Sequence, residues 1–439
     1  MKSLQEADIL IQNCTILPMN GRDATIRNGL IATKNDKIIY VGRETKAPKI
    51  KTEITIDGKD KVATPGLINC HTHLPMTLFR GIAEDQPLTT WLTQIIWPLE
   101  AKLTPNDIYQ GALLGCLENI KNGTTTFADM YFHEEKIAKA VEKAGLRAVL
   151  APGIIEAEDH KKGGRMLKEG VEFAHKYNGY ADGRVTAQLG PHAVYTCSPQ
   201  LLTQIQEEAS KLNIGMHIHI AESKQMAKLV KKRYALTEVE LLESVNFLES
   251  NVLAAHCIYL TEKETQIMAK HNVKVSYNPT ANMKIASGTP KIKTLTDLGI
   301  TVGIGTDGPA SNNNLDMFEE MKTAALLQKI TYMDPTVLQA PQVLEMATSD
   351  GAKALGLEKT VGSLEVGKKA DIILIDFRKP HLAPLHDPYA NIVYSARGSD
   401  VDTVIINGKL LMDRREVKTL DEKEVMQKAQ QTASELLTR

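Results

Sequence analysis

The chain has 439 residues, which is too long for one small core, and a barrel of roughly 250 to 400 residues with a smaller unit fits this length. Its 52 basic and 53 acidic side chains give a net charge of −1, so no overall field attracts nucleic acid or an anionic membrane. Hydrophobic residues make up 43% and charged residues 24%, as is usual for a soluble globular protein.

The N-terminal stretch "MKSLQEADILIQNC" lacks the apolar core of a signal peptide, and no stretch is long enough to span a bilayer. The five cysteines form no C-x-x-C pair and are odd in number, which favours a reducing environment. We therefore expect a cytoplasmic protein that binds neither nucleic acid nor membrane.

The first sixty residues contain short strand patterns separated by turns, in "ADILIQNCTILP", "GLIATKNDKIIYVG" and "EITIDGKD". The pattern returns in "KADIILIDF" and "VDTVIINGKLLM", whose Asn-Gly pair is typical of a tight hairpin. Residues 1–60 and 365–439 are thus predicted to form one small composite β-sandwich, with a charged terminal helix in "LDEKEVMQKAQQTASELL".

Residues 61–364 alternate between short β-rich runs and segments of helical period. The β-rich runs are "VATPGLINCHTH", "TTTFADM", "LRAVLAPGI", "RVTAQLGPHA", "IGMHIHIA", "NVLAAHC", "VKVSYN" and "GITVGIGTD". Helical periods lie between them at 107–121, 134–144, 198–211, 261–270 and 315–328. Eight such units predict an α/β fold, a (β/α)8 TIM-like barrel. The alternative, a doubly wound open sheet, is disfavoured because no glycine-rich phosphate motif follows the first strand.

The first barrel strand ends in "PGLINCHTHL" (65–74), where His71 and His73 point to one face because side chains alternate along a strand. Random placement of 12 histidines would give such a pair about a third of the time, so it needs support from the other strands. Polar residues do end several of those strands: His192 in strand 4, His219 in strand 5, His256 in strand 6 and Asp307 in strand 8.

The carboxyl ends of barrel strands meet at one face, and buried polar groups there need partners. A shared metal ion supplies one, and three histidines with one carboxylate have the composition of a catalytic zinc site. His219 is a better candidate than His217, which lies one layer down the same strand. Asp307 could instead form a turn or cap a helix, and His256 could be a core histidine. No lysine ends strand 4 to bridge two ions, which favours a single metal.

A divalent ion would lower the pKa of bound water, and Asp307 could accept the proton that the water loses. Glu222 follows His219 by three residues and could carry protons to the substrate and the leaving group. This set suits hydrolytic attack on an sp² carbon with loss of ammonia or another small group.

Several motifs together resemble the amidohydrolase superfamily, in its mononuclear deaminase branch. They are "PGLINCHTH", "HIHIAES", "NPTANMKIASG" (278–288), "GIGTDGPASNN" and "VGSLEVGKKADIILIDF". Within that branch, "LFRGIAEDQPLTTWLTQIIWPLE" (78–100) is most similar to the 5′-methylthioadenosine/S-adenosylhomocysteine deaminases. The resemblance implies hydrolysis of the adenine ring to the inosine analogue and ammonia. It also implies a small purine nucleoside substrate and a homo-oligomer.

The resemblance assigns one zinc ion, or iron, to His71, His73, His219 and Asp307. His256 would hydrogen-bond the attacking hydroxide, and Glu222 would protonate purine N1.

For the rest of the substrate, His192 would hold the base, Glu100 would accept the ribose hydroxyls and Trp91 would stack beside the 5′-thio group. The resemblance also places Ser311 near the substrate. Arg165 would pair with a homocysteine carboxylate, and Arg147 is a second candidate for that role.

These outer contacts have structural alternatives. Trp91 could be core packing, Glu100 an exposed helix charge and Arg165 a solvated side chain. Ser311 could cap a helix that begins near Asn314. For the whole chain, the alternatives are deamination or dechlorination of another ring (guanine, cytosine or an s-triazine) and a non-catalytic barrel scaffold. Such scaffolds typically lose metal ligands, and this chain keeps all of them.

Overall fold

A computed structural model describes residues 4–21, 25–82 and 84–439. The predicted segments 1–60 and 78–100 are therefore described apart from residues 1–3, 22–24 and 83. Strands from the first part of the chain are β1 (Leu4–Ile16), β2 (Ile26–Lys34), β3 (Lys37–Arg43), β4 (Lys49–Asp57) and β5 (Lys61–Pro65). The central strands are β6 (Leu67–Thr72), β7 (Thr124–Tyr131), β8 (Arg147–Ile154), β9 (Val185–Pro191), β10 (Gly215–Ile220), β11 (Val252–His256), β12 (Lys274–Tyr277) and β13 (Val302–Ile304). The last strands are β14 (Ile372–Asp376), β15 (Val401–Ile406), β16 (Lys409–Asp413) and β17 (Glu416–Val417).

The described α-helices connect the central strands or flank them. In chain order they are α1 (Leu88–Thr90), α2 (Trp97–Glu100), α3 (Pro105–Lys121), α4 (Glu134–Ala144), α5 (His160–Tyr177), α6 (Tyr180–Gly183), α7 (Pro199–Leu212), α8 (Lys224–Tyr234), α9 (Glu238–Ser244), α10 (Glu262–Lys270), α11 (Pro279–Lys284), α12 (Ile292–Asp297), α13 (Met317–Tyr332), α14 (Ala340–Met346), α15 (Ser349–Ala354), α16 (Pro388–Tyr394) and α17 (Glu422–Thr438). A π-helical turn (Trp91–Ile96) joins α1 to α2, and no described helix has the length and apolarity needed to cross a bilayer.

Strands β6 to β13 are all parallel and lie side by side in chain order. The first and last of them meet through Asn69, whose Oδ1 accepts from the Thr306 backbone N–H at 3.0 Å and whose Nδ2 donates to Thr306 Oγ1 at 2.7 Å. Just beyond, the Asp307 N–H donates to the His71 carbonyl at 2.9 Å. The predicted (β/α)8 barrel is therefore confirmed, because a parallel sheet that curls until its edges meet is a barrel.

The predicted composite unit from the two chain ends is a nine-stranded mixed sheet. Its order is β17-β16-β15-β14-β5-β1-β2-β3, with β4 paired to β1. Alternation along β1 sends Ile9 and Ile11 into one apolar cluster and Leu10 into another, so both faces of this strand are covered. Strand β5 pairs with β1 and β14 of this sheet, although it lies inside the range 61–364 predicted for the barrel. The division into 1–60, 61–364 and 365–439 stays a prediction.

Arg147 connects the barrel to the terminal sheet. It begins β8, is 2% exposed, and its Nε and Nη2 donate to the two carboxylate oxygens of Asp371 at 2.9 and 3.2 Å. Nη2 also donates to Asn407 Oδ1 at 3.3 Å. The predicted contact of Arg147 with substrate is wrong, because a residue at the start of a barrel strand lies at the face opposite the active site.

We expect Arg147→Ala to destabilise the fold by ~3–5 kcal/mol, because the Asp371 carboxylate stays buried without its partner. The urea unfolding midpoint measures this loss. Arg165→Ala is the matched control, since the Arg165 side chain is 67% exposed and 3.8 Å from Glu169. The control should change stability by no more than about 0.5 kcal/mol. Equal midpoints for the two variants would contradict the anchoring role of Arg147.

Candidate active site

The ends of four barrel strands bring five polar side chains together. His71 and His73 come from the end of β6, His219 from β10, His256 from the end of β11, and Asp307 from the loop after β13. The ligand atoms of His71, His73 and His219 lie within 4.8 Å of one another, as do those of His71, His256 and Asp307. Asp307 Oδ1 is 3.4 Å from His71 Nε2 and 3.3 Å from His73 Nε2. These atoms therefore surround one common point.

The other ring nitrogen of each histidine is held by a neighbour. His73 Nδ1 is 2.6 Å from the Met130 carbonyl, and His219 Nδ1 is 2.7 Å from the His192 carbonyl. A carbonyl only accepts, so each Nδ1 carries the proton and each Nε2 presents a lone pair to the centre. Metal-binding histidines are commonly oriented in this way.

His71 shows most directly that the centre needs a further group. Its Nδ1 lies 2.9 Å from Nε2 of His217, the histidine predicted one layer down the strand. Its own Nε2 is buried and has no hydrogen-bond partner among the described residues. A buried nitrogen left without a partner is costly, and a metal ion at the common point would satisfy it.

Burial also sets the charges of the donors. It lowers the pKa of His71 to about 4 and holds the pKa values of His73 and His219 below their usual range. These imidazoles are neutral near pH 7, as ligation requires. Burial raises the pKa of Asp307, but the adjacent His71 and His73 outweigh it, and the net pKa lies well below the ordinary value. Three neutral nitrogens and one carboxylate fit a single divalent ion such as zinc, with room for a water molecule.

Two residues of the site have left-handed backbones, with φ of 61° at Asp307 and 72° at His256. Non-glycine residues avoid this region unless their surroundings hold them there, and such strain is concentrated at functional sites. The Gly308 N–H donates to Asp307 Oδ1 at 2.7 Å, which fixes the carboxylate in place. Asp307 therefore lies in a turn, as the alternative interpretation expected, and the same turn holds its carboxylate in the site.

Glu222 and His256 form a second pair beside the metal donors. His256 Nε2 is 3.9 Å from Glu222 Oε1, and His256 Nδ1 is 2.9 Å from Asn282 Oδ1. Burial raises the pKa of Glu222, with a smaller contribution from Asp307, although His256 opposes the shift. A carboxyl group with a raised pKa next to a metal site holds its proton to higher pH than an exposed one, which suits it to general acid–base catalysis.

The pocket above these residues spans about 720 Å³ including its open mouth, which suits a small organic ligand. Four of the predicted substrate contacts line it, namely Trp91, Glu100, His192 and Ser311.

Glu100 lies at the end of α2, close to the Tyr131 hydroxyl. Burial raises its pKa to about 7, although the neighbouring Tyr131 acts in the opposite direction. Trp91 begins the π-helical turn and is 7% exposed. Glu100 is thus not the exposed helix charge of the alternative interpretation.

Two further predicted contacts are fixed by their neighbours. His192 Nδ1 is 3.0 Å from Thr196 Oγ1, and burial lowers the pKa of this histidine to about 3. Ser311 Oγ donates to the Gly308 carbonyl at 3.0 Å. The alternative in which Ser311 caps the next helix is wrong, because that helix (α13) is capped by Asp316, whose side chain accepts from the Phe318 N–H.

The structure does not bring Arg165 to the pocket. It lies on α5 with its side chain 67% exposed and Glu169 3.8 Å away. It is not among the described residues that line the pocket. The solvated alternative therefore describes its position, since its side chain is mostly exposed and its ion-pair neighbour, Glu169, lies on the same helix.

Several lining residues were not predicted from the sequence: Trp97, Met130, Tyr131, Phe132, Ile155 and Tyr195. Tyr131 and Phe132 stand at the end of β7, so the strand-end rule that identified His219 could have identified them too. They were missed because an aromatic residue at a strand end is also what ordinary core packing requires.

A parallel barrel whose strand ends converge on neutral imidazoles and one ionised carboxylate is the arrangement of a metal-dependent hydrolase. Residues 62–411 match the model described as the amidohydrolase family. The chain therefore belongs to the amidohydrolase family, which confirms the predicted resemblance.

Individual relatives span the whole chain. It is 50% identical over 418 residues to the 5-methylthioadenosine/S-adenosylhomocysteine deaminase of Moorella thermoacetica, covering 95% of this chain and 97% of the relative. It is 49% identical over 433 residues to the 5′-deoxyadenosine deaminase of Methanosarcina barkeri, covering 99% of both. The crystal structure of a zinc-bound adenosine deaminase from Xanthomonas campestris is 31% identical, covers 100% of both chains and has a TM-score of 0.95.

Proposed function

We propose that the protein hydrolytically deaminates the adenine ring of a 5′-modified adenosine, giving the inosine analogue and ammonia. The observation that carries the proposal is one pocket lined by three of the predicted metal donors (His73, His219 and Asp307), by Glu222, and by Glu100 and Trp91. The names of the relatives from Moorella thermoacetica and Methanosarcina barkeri support it, since both describe deaminases of such nucleosides.

A divalent ion held by His71, His73, His219 and Asp307 would supply a water molecule of lowered pKa near the reacting carbon. Asp307 is ionised and buried, so its carboxylate takes the proton from the attacking water. His256 has its Nδ1 near Asn282, which leaves Nε2 free to hydrogen-bond that water. These contacts direct the water oxygen at C6 of the purine.

Glu222 moves the second proton. Burial raises its pKa, so it holds a proton to higher pH than an exposed glutamate and can deliver it to purine N1, which makes C6 more electrophilic. The C6–O bond forms, and the proton held by Asp307 passes to the amino group. The C6–N bond then breaks to release ammonia, and the proton left on the C6 hydroxyl returns to Glu222 as the C6 carbonyl forms. His192 is kept neutral by burial and contributes a ring nitrogen that holds the base.

The ribose end of the substrate is bound by Glu100 and Trp91. A carboxylate accepts hydrogen bonds from two vicinal hydroxyls, and a free base offers none. The Trp91 indole provides an apolar surface beside the 5′ position.

The test is a substrate assay with purified, zinc-loaded protein. We expect 5′-methylthioadenosine or 5′-deoxyadenosine to show the absorbance change from adenine to hypoxanthine with release of ammonia. Guanine, cytosine and an s-triazine serve as the comparison set. Turnover confined to those rings, or no turnover of any nucleoside, would refute the proposal.

Glu100→Gln is expected to lower kcat/KM for nucleosides by about 10- to 100-fold, because glutamine loses the charge that strengthens hydrogen bonds from the ribose hydroxyls. Turnover of free adenine, measured in parallel, should change little. The pKa of Glu100 is about 7 and its ionised form is the better acceptor, so wild-type kcat/KM should rise as pH increases through that value. The variant should lack this rise. Equal losses for nucleoside and free base would remove the ribose-binding role.

We also propose that the chain is a cytoplasmic homo-oligomer. All five cysteines are free and buried, which suits a reducing compartment. The outer face of α13 and the residue after it expose Leu326, Ile330 and Met333 at helical spacing, with Met333 80% exposed. Light scattering coupled to gel filtration tests the assembly, and a mass of one chain at micromolar concentration would contradict it.

A further inference from the structure

The charges of the pocket lining have one sign. Its lining includes three carboxyl-bearing side chains, those of Glu100, Glu222 and Asp307, and the lining residues that the structure describes include no lysine and no arginine. His73 and His219, whose Nδ1 atoms lie against backbone carbonyls, have lowered pKa values and are neutral. A ligand carboxylate placed away from the proposed metal ion would therefore meet no positively charged side chain of the described lining.

Three basic side chains, including both arginines predicted to contact the substrate, are paired with carboxylates outside the pocket lining. Arg165 is exposed on α5, with Glu169 3.8 Å away. Lys284 forms an ion pair with Glu84 at 2.7 Å. Arg147 is buried against the terminal sheet at the opposite end of the barrel. Neither arginine predicted to bind a substrate carboxylate is therefore placed to do so.

The wall around Glu100 is apolar instead. The helical segment that ends in Glu100 contributes four residues to it, and the loops after β7 and β8 contribute two more: Trp91, Leu92, Ile96, Trp97, Phe132 and Ile155. Burying an uncharged group against such a wall is favourable, whereas a carboxylate loses its hydration without gaining a partner.

We infer that this pocket selects adenosines whose 5′ substituent is small and uncharged, such as 5′-deoxy or 5′-methylthio, and discriminates against the carboxylate-bearing homocysteine tail of S-adenosylhomocysteine. The inference rests on the proposed function, because it concerns the part of the same pocket that holds the 5′ end. Glu100 strengthens the discrimination, since its ionised carboxylate repels a second one in a pocket of low dielectric constant.

The experiment compares kcat/KM for four nucleosides with the zinc-loaded protein: 5′-deoxyadenosine, 5′-methylthioadenosine, adenosine and S-adenosylhomocysteine. We expect S-adenosylhomocysteine to be at least about tenfold poorer than 5′-methylthioadenosine, equivalent to ~1.4 kcal/mol. A smaller ratio would overturn the inference while leaving the deaminase assignment intact. Turnover of none of the four would refute the proposed function and the inference with it.

Two variants test whether missing positive charge is the reason. Ile155→Arg adds a guanidinium to the wall and should raise the S-adenosylhomocysteine to methylthioadenosine ratio by about three- to fivefold, with Ile155→Met as the uncharged control of similar length. An unchanged ratio in Ile155→Arg would contradict the charge explanation. Arg165→Ala should leave the ratio within about twofold of wild type, as expected for an exposed side chain that touches nothing in the pocket. Selective loss of S-adenosylhomocysteine turnover in Arg165→Ala would show that Arg165 binds the carboxylate, and would overturn the inference.

Discussion

Asp307→Asn is expected to lower kcat by about 10³-fold or more, because the substitution removes a metal-binding charge and the group that takes the proton of the attacking water. Asparagine has nearly the same shape, so the Gly308 N–H can still donate to its side-chain oxygen and the left-handed turn can persist. The loss should therefore be chemical, and the unfolding midpoint should stay close to that of wild type.

The two roles of Asp307 can be separated by measuring metal content and activity together. We expect the variant to bind zinc more weakly, since one of four donors loses its charge, and to stay inactive when excess zinc restores occupancy. Asp297→Asn is the matched control, because Asp297 is exposed at the end of α12. Recovery of substantial turnover at full zinc occupancy would eliminate the role of Asp307 as proton acceptor.

The barrel and the metal donors could be predicted because they depend on local patterns. A strand period of two puts His71 and His73 on one face, and the rule that barrel sites form at carboxyl strand ends adds His219 and Asp307. All five predicted helical segments are present as α3, α4, α7, α10 and α13. Neither the barrel nor the metal donors had to be predicted from distances between strands, because closure of the barrel brings the strand ends together.

The surroundings of Arg147 and Arg165 could not be predicted from local patterns. Arg147 lies at the start of its strand, so strand direction alone could have excluded it from the active site. Its ion-pair partner, Asp371, is 224 residues away in sequence, and no local sequence pattern predicts such a pair. Arg165 is different, because which way a side chain turns on a surface helix depends on neighbours that come from other parts of the chain.

Glu100 illustrates a third case. Its sequence context, a short helix after a long loop, is compatible with solvent or with the pocket. What decides between them is burial, because Glu100 lines the pocket together with Tyr131 from the end of β7. A long-range contact of this kind becomes visible only when the barrel closes. The resemblance to known deaminases indicated the residue, whereas the physical reason for its raised pKa came from its burial.

Glu222→Gln is expected to lower kcat by about 10²- to 10⁴-fold, the range for loss of a positioned acid–base group. Glutamine keeps the size of the side chain but cannot transfer a proton. Zinc content should stay at the wild-type level, in contrast to Asp307→Asn, because Glu222 is not one of the four donors. KM should change little. Glu207→Gln, on the exposed face of α7, is the control.

The pH profile distinguishes proton transfer from a merely structural role for Glu222. Burial raises the pKa of Glu222, so its protonated form persists to higher pH than for an exposed glutamate and declines as pH rises through that raised value. Wild-type kcat/KM should therefore fall on the alkaline side, and the residual activity of Glu222→Gln should lack that fall because glutamine does not titrate. A variant that kept the same alkaline fall would assign it to another group. If its kcat were also near wild type, purine N1 would have to receive its proton from elsewhere, and His256, 3.9 Å from Glu222, would be the next residue to test.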